Sequence, residues 1–259
     1  MAEGPLTGTG VLVTRPRTQA IELANAIEQH GGQAFCFPVI EIVARDPHAI
    51  QDDLDGQATP DIVIFISRNA VEHGIRYTGG ALIAAIGPAT AEAIQAAGRV
   101  VDILPSSGFD SEHLLAETSL QDVAGKRIRI IRGSQGRGLL ADELRARGAT
   151  VDYLSVYERR LPDVDPDTMA ELERRWRQGS INVITVMSVQ SLANLARILP
   201  EWCAAQVAST PLVTPSGRVL KEALDRYPAS RPALAAGPGA DDMVQAIIAL
   251  HSTDSGTAP

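Results

Sequence analysis

Residues 126–162 read KRIRIIRGSQGRGLLADELRARGATVDYLSVYERRLP, and the order of patterns in this stretch sets the fold class. An apolar run, Ile128 to Ile131, has the composition of a strand buried on both faces. A glycine-rich turn follows, then an amphipathic helix, then a second strand that ends on Tyr157. Strand, turn, helix and strand in that order imply a parallel sheet with right-handed crossovers. In such folds ligands sit beyond the carboxyl ends of strands, where helix N-termini present free N–H groups. Arg132, Gly133 and Arg137 are expected there, in a turn suited to an anion, and this segment is expected to form one wall of an interdomain cleft.

Outward from this stretch the same alternation continues. DIVIFI from Asp61, ALIAAI from Ala81 and VVDIL from Val100 read as strands, each followed by a small-residue turn and a helical repeat. Val11 to Val13 and Ala34 to Ile40 give one strand–helix–strand unit at the start, with Pro38 marking an edge or an exit. Residues 44 to 60 and the Pro- and Asp-rich YERRLPDVDPD read as linkers. After them come helices marked by Met169, Leu172 and Trp176, by Leu192, Leu195 and Leu199, and by Leu220, Leu224 and Tyr227, with short strands between.

One strand–helix–strand unit is too little to bury a core of its own. Residues 1–40 are therefore expected to join residues 161–251 in a discontinuous α/β domain, with an inserted α/β domain over residues 41–160. The two chain crossings form the hinge, and residues 252–259 are expected to be a disordered tail.

Composition narrows the function. Aromatics make up 4% of the 259 residues against 45% hydrophobic overall, so the cores are built from Ala, Val, Leu and Ile. Acidic residues outnumber basic ones 31 to 23, which argues against nucleic acid as a partner. No apolar run approaches bilayer length and no export signal is visible, so a cytoplasmic protein without a membrane partner is expected. Cys36 and Cys203 have no metal-type spacing and are expected to be buried free thiols.

Nearly every strand-to-helix turn carries small hydroxyl, amide or glycine residues: Thr14-Arg15, Ser67-Arg68-Asn69, Gly87 to Thr90, Asp110-Ser111, Arg132-Gly133, Ser188, Ser216-Gly217-Arg218 and Gly237-Pro238-Gly239. Each is an ordinary helix cap in isolation. Together they offer many N–H groups and several arginines, which suits a ligand with many carboxylates. There is no G-x-G-x-x-G after the first strand, and RGSQGRG lacks the Lys-Ser/Thr of a phosphate loop. No metal set and no nucleophile–histidine arrangement can be proposed. None of the five histidines sits at an expected strand end. Tyr157 remains as the one candidate acid, since a phenol is a neutral donor and a weak general acid. The competing reading is a ring that packs across the hinge.

VLVTRP, FPVIEI, SRNAV, AIGPATAEAI, the SE of FDSEHLL, IIRGSQGRGLLADELRARGATV, VYER ending at Arg159, MSVQSLANL and PSGRVLKEAL, in that order from Val11 to Leu250, resemble the uroporphyrinogen-III synthase family. Ser67-Arg68-Asn69 departs from the family's usual Thr-Ser before Asn-Ala-Val, and Met187 replaces a more usual polar residue. The resemblance implies two flavodoxin-like, doubly wound parallel-sheet domains joined by a two-strand hinge. It implies a cofactor-independent, cyclising hydro-lyase that converts hydroxymethylbilane to uroporphyrinogen III through a spiro intermediate, with ring D inverted. It places Tyr157 where a tyrosine assists departure of the hydroxyl. Arg15, Ser67, Asn69, Thr90, Arg132, Gly133, Arg137, Ser188, Ser216 and Arg218 are the expected substrate contacts. A monomer is expected, with the upstream bilane synthase as a transient partner. The alternative is a non-catalytic two-lobed module that closes on a small anion, and a nucleotide-dependent transferase is disfavoured by the missing phosphate loops.

Overall fold

Apolar runs of three or four residues, too short to be helices and buried along their whole length, become central strands (Gly10–Val13, Ile62–Phe65, Val183–Thr185) of two five-stranded sheets. The computed structural model describes residues 4–134 and 138–254, with side chains to Leu250. In chain order the first elements are β1 (Gly10–Val13), α1 (Arg17–Gln29), β2 (Gln33–Cys36), β3 (Glu41–Ala44), α2 (Pro47–Leu54), β4 (Ile62–Phe65), α3 (Arg68–Gly74), β5 (Leu82–Ala85) and α4 (Pro88–Ala96). Then come α5 (Ser111–Ala116), β6 (Arg127–Gly133), α6 (Leu139–Ala146), β7 (Thr150–Arg160), α7 (Pro166–Arg177), β8 (Val183–Thr185) and α8 (Val189–Ile198). The last are α9 (Ala204–Ser209), β9 (Leu212–Thr214), α10 (Gly217–Arg226), β10 (Ala233–Leu234) and α11 (Ala240–Asp254). The chain divides into two compact units, Met1–Glu41 with Arg160–Pro259, and Ile42–Arg159.

The first unit holds the sheet ordered β10-β9-β8-β1-β2, all pairs parallel. Counted along the chain this is the doubly wound order 2-1-3-4-5. Val11, Val13, Val183 and Val213 bury one face against Ala20, Leu23 and Ile27 of α1 and Met243, Val244 and Ile247 of α11. The second unit holds the sheet β3-β7-β6-β4-β5. It repeats the order from β4 onward, and its outer place beside β7 is taken by β3, the strand that leads into the unit. One face packs Ile62, Ile64, Ile128, Ile130 and Val151 on α5 and α6, and the other packs Val63, Phe65, Ile131, Leu154 and Val156 on α2, α3 and α4.

Four expectations from the sequence are corrected. Residues 44–60 are not a bare linker, because they hold α2. Asp46 accepts the His48 N–H at 2.8 Å, Pro47 takes the first helical position, and Ile50 supplies one buried anchor. VVDIL forms only an isolated bridge, Ala84 with Ile103. There the Asp102 carboxylate accepts the Ile83 N–H at 2.7 Å, a ladder donor that a full strand would have paired. Cys203 is buried, its thiol pushed up to about 12 by burial and the Glu173 charge, but Cys36 is exposed at the end of the edge strand β2. Helix α11 continues past Ser252 to Asp254, and residues 255–259 lie outside the described residues.

Candidate active site

In each sheet the chain order reverses beside the first strand of the doubly wound set, and there two carboxyl ends diverge to open a crevice. In the second unit the reversal lies between β4 and β6, so Ser67 after β4 and Gly133 at the end of β6 come to one edge. Arg132 and Gly133 do not lie past the strand, as the sequence reading had it; they are its last two residues. Arg137 lies outside the described residues.

Tyr157 reaches this edge through an irregularity that periodicity does not show. Along β7, Leu154 and Val156 face α3 and α4, so strict alternation sends Tyr157 to the opposite face. The register instead steps from Arg132 opposite Ser155 to Gly133 opposite Tyr157. This extra residue is a bulge, and it turns Tyr157 onto the same face as Val156. The ring, 2% exposed, lies over Gly133, where a Cβ would sit 2.8 Å from the ring edge. Gly133 is therefore needed as clearance for the ring, whatever its N–H also does.

The phenol oxygen is 3.3 Å from Ser67 Oγ, longer than a strong O–H···O bond. Ser67 also caps α3 by accepting the Ala70 N–H at 3.1 Å, which leaves its own hydrogen free to donate. Two neighbours were missed by the sequence reading. The His73 ring is 5.9 Å from the Tyr157 ring, tilted by 43°, and the Arg159 guanidinium lies 6.0 Å from the same ring. His73 was legible in principle, being four residues after Asn69 on the same face of α3. Gly74 lets α3 come this close, since a Cβ there would meet Ile131 at 2.5 Å.

Arg132 is buried but turned to the other face, over the Tyr153 ring at 4.7 Å, with Nε donating to the Gly133 carbonyl at 3.2 Å. Asn69 is buried in the first turn of α3, and Thr90 is buried in the first turn of α4, whose N-cap Gly87 offers no side-chain cap.

In the first unit the reversal lies between β1 and β8. Thr14 Oγ1 donates to the Thr185 carbonyl at 2.6 Å and ties the two carboxyl ends together. Arg15 is buried and donates from Nη2 to the Pro238 carbonyl at 2.7 Å. Ser188 caps α8 by accepting the Ser191 N–H at 3.0 Å, and Ser216 caps α10 through Val219 at 3.5 Å, with Arg218 exposed beside it. The capping role foreseen for single turns thus holds at Ser67, Asp110, Ser188 and Ser216. No group of three or more His, Cys, Asp or Glu placed to hold a metal occurs among the described residues.

Comparison with known proteins gives this arrangement a family. The HEM4 profile, described as uroporphyrinogen-III synthase HemD, matches residues 21–245. The chain is 32% identical over 201 residues to the uroporphyrinogen-III synthase of Salmonella typhimurium, covering 74% of this chain and 80% of that one. It is 30% identical over 200 residues to that of Proteus mirabilis, covering 71% and 96%. Among solved structures, the Helicobacter pylori uroporphyrinogen-III synthetase aligns with a TM-score of 0.60 at 12% identity, over 93% of this chain and 99% of that one. A mutant Thermus thermophilus uroporphyrinogen III synthase aligns at 0.59 and 18%, over 95% and 99%. These two likenesses speak to the two-domain α/β fold. Taken with the profile match and the identities, they leave one conclusion: the chain belongs to the uroporphyrinogen-III synthase family.

Proposed function

We propose that this chain is a cofactor-independent uroporphyrinogen-III synthase in which Tyr157 serves as the proton donor. The observation that carries the assignment to Tyr157 is the bulge at Gly133, which places a buried phenol at the ligand edge of the sheet, 3.3 Å from the Ser67 hydroxyl.

The chemistry explains why so little machinery suffices. The terminal hydroxyl of hydroxymethylbilane leaves as water once it accepts a proton, which generates an electrophilic azafulvene. The substituted carbon of ring D attacks it to form the spiro intermediate. That intermediate fragments and recloses with ring D inverted, and the net change is loss of one water. Without the enzyme the bilane closes with no inversion, so the catalyst must chiefly hold a conformation and keep water from the cation. Tyr157 donates to the departing hydroxyl. His73 and Arg159 lie against its ring, at 5.9 and 6.0 Å. The acetate and propionate groups fall to N–H groups and hydroxyls at the helix starts: Ser67, Asn69 and Thr90 in one unit, Arg15, Ser188, Ser216 and Arg218 in the other, with Gly133 at the end of β6 and, from its place in the sequence alone, Arg137. Because the free bilane closes to the wrong isomer, transient hand-over from the upstream bilane synthase is part of this reading, as are a monomeric state and a cytoplasmic location.

The test is incubation with freshly generated hydroxymethylbilane and no added cofactor, followed by oxidation and chromatographic separation of the type I and type III isomers. Type III in excess is expected. Type I alone, matching a protein-free control while the protein is folded, would refute the assignment.

A further inference from the structure

We infer that Phe109 is a stacking platform for one carboxylate-bearing pyrrole ring of the substrate, with the Thr90 hydroxyl and the N-terminus of α4 taking that ring's carboxylate. This deepens the synthase reading and rests on it. Phe109 is 63% exposed, more than any other described aromatic side chain. It lies over Gly87, where a Cβ would come 2.9 Å from the Phe109 Cβ. Its backbone is fixed on both sides. Gly108 is left-handed (φ +67) beneath the His113 ring, and Asp110 caps α5 through the His113 N–H at 2.9 Å while its Oδ1 lies 2.6 Å from His113 Nδ1. The phenyl is thus held facing water beside a helix start.

The second observation is polar. Thr90, 4% exposed, makes no hydrogen bond from its hydroxyl to any described residue, and that hydroxyl is not sealed from solvent. Helix α4 has nine residues and no side-chain cap. An apolar face and an open donor at a helix start together match an aromatic ring that carries an acid: the ring stacks on Phe109 and its carboxylate turns to Thr90.

Two measurements decide this. In kinetics with hydroxymethylbilane, Phe109→Ala and Phe109→Leu are expected to raise KM about tenfold and Phe109→Trp to stay within about twofold. The exposed Val100, as Val100→Ala, is expected to leave KM and kcat unchanged. A leucine variant that equals the unaltered protein would reduce the contact to plain apolar cover and overturn the proposal. The second measurement does not depend on turnover. With ring-labelled phenylalanine, of which the chain has four, porphobilinogen (a monopyrrole bearing two carboxylates) is expected to shift the Phe109 signal selectively. The shift is expected to be lost in Thr90→Val. No shift at millimolar porphobilinogen overturns the subsite. A protein that makes only type I product fails the synthase assignment, while the shift still decides the subsite.

Discussion

Both units reverse their strand order beside the first strand of the doubly wound set, yet they finish their carboxyl edges differently. In the first unit β8 and β9 have three residues each, and the ends are knotted by polar bonds: Thr14 to the Thr185 carbonyl, Thr185 to the Leu12 carbonyl, Asn194 to the Val39 carbonyl. In the second unit β6 runs seven residues and β7 eleven, and a bulge between them sets a large ring over a glycine. The Thr14, Thr185 and Asn194 side chains of the first edge are consumed by the fold, whereas the second edge holds its one phenol by shape. Substitutions at those three should therefore read out as stability, and at the second edge as rate.

The largest expected effect is at Tyr157. Tyr157→Phe keeps the ring and its packing but removes the proton, so kcat should fall about a hundredfold with the melting temperature unchanged. An unaltered single-turnover rate would break the contrast. Next comes Gly133→Ala, which forces the Tyr157 ring aside. Here kcat should drop tenfold or more and stability by about 1–3 kcal/mol. Combined with Tyr157→Phe it should add little further loss of rate, because both act through one phenol. At the other edge, Thr14→Val strands the Thr185 carbonyl and should cost about 1–3 kcal/mol in chemical denaturation while kcat stays within about threefold.

The smallest effect tests a cap with no ligand to hold. Asp165 starts α7, and hydrogen bonds from the Thr168 side chain and backbone hold its carboxyl below the usual value of 3.8. A depressed carboxyl stabilises the fold above its unfolded value and loses that contribution as the pH falls through its folded one. The difference in melting temperature between the unaltered protein and Asp165→Ala should thus be present at pH 7 and shrink below pH 3.8, with KM unchanged at neutral pH. Ser188→Ala, by contrast, should raise KM severalfold at neutral pH, because the proposed function gives that hydroxyl a substrate carboxylate to hold.

Much of the fold was legible because buried strands announce themselves as Val-, Ile- and Ala-rich runs, and their turns as Ser, Thr, Asp and Gly. What escaped had local causes. Helix α2 carries one deeply buried apolar residue, Ile50, so its period is nearly silent. VVDIL has strand composition, but Asp102 spends its carboxylate on the ladder. At the site, the identity of Tyr157 stood out in the sequence and its direction did not. Nothing in VDYLSVYERR marks where the register slips, and without the slip neither the contact with His73 nor the need for Gly133 follows.

The pairing of β1 with β8 has a consequence during synthesis. Thr14 and Thr185 are 171 residues apart, so at a translation rate of about 5–20 residues per second β1 emerges roughly 10 to 30 s before its partner exists. The second unit has no such gap, since β4 to β7 follow one another and β3 lies directly ahead of them. It can close on the ribosome while Val11, Val13, Leu23 and Ile27 of the nascent chain are still without β8 and α11 to cover them. For that interval the apolar face of the first forty residues waits for its cover, while every strand of the inserted unit has already been made.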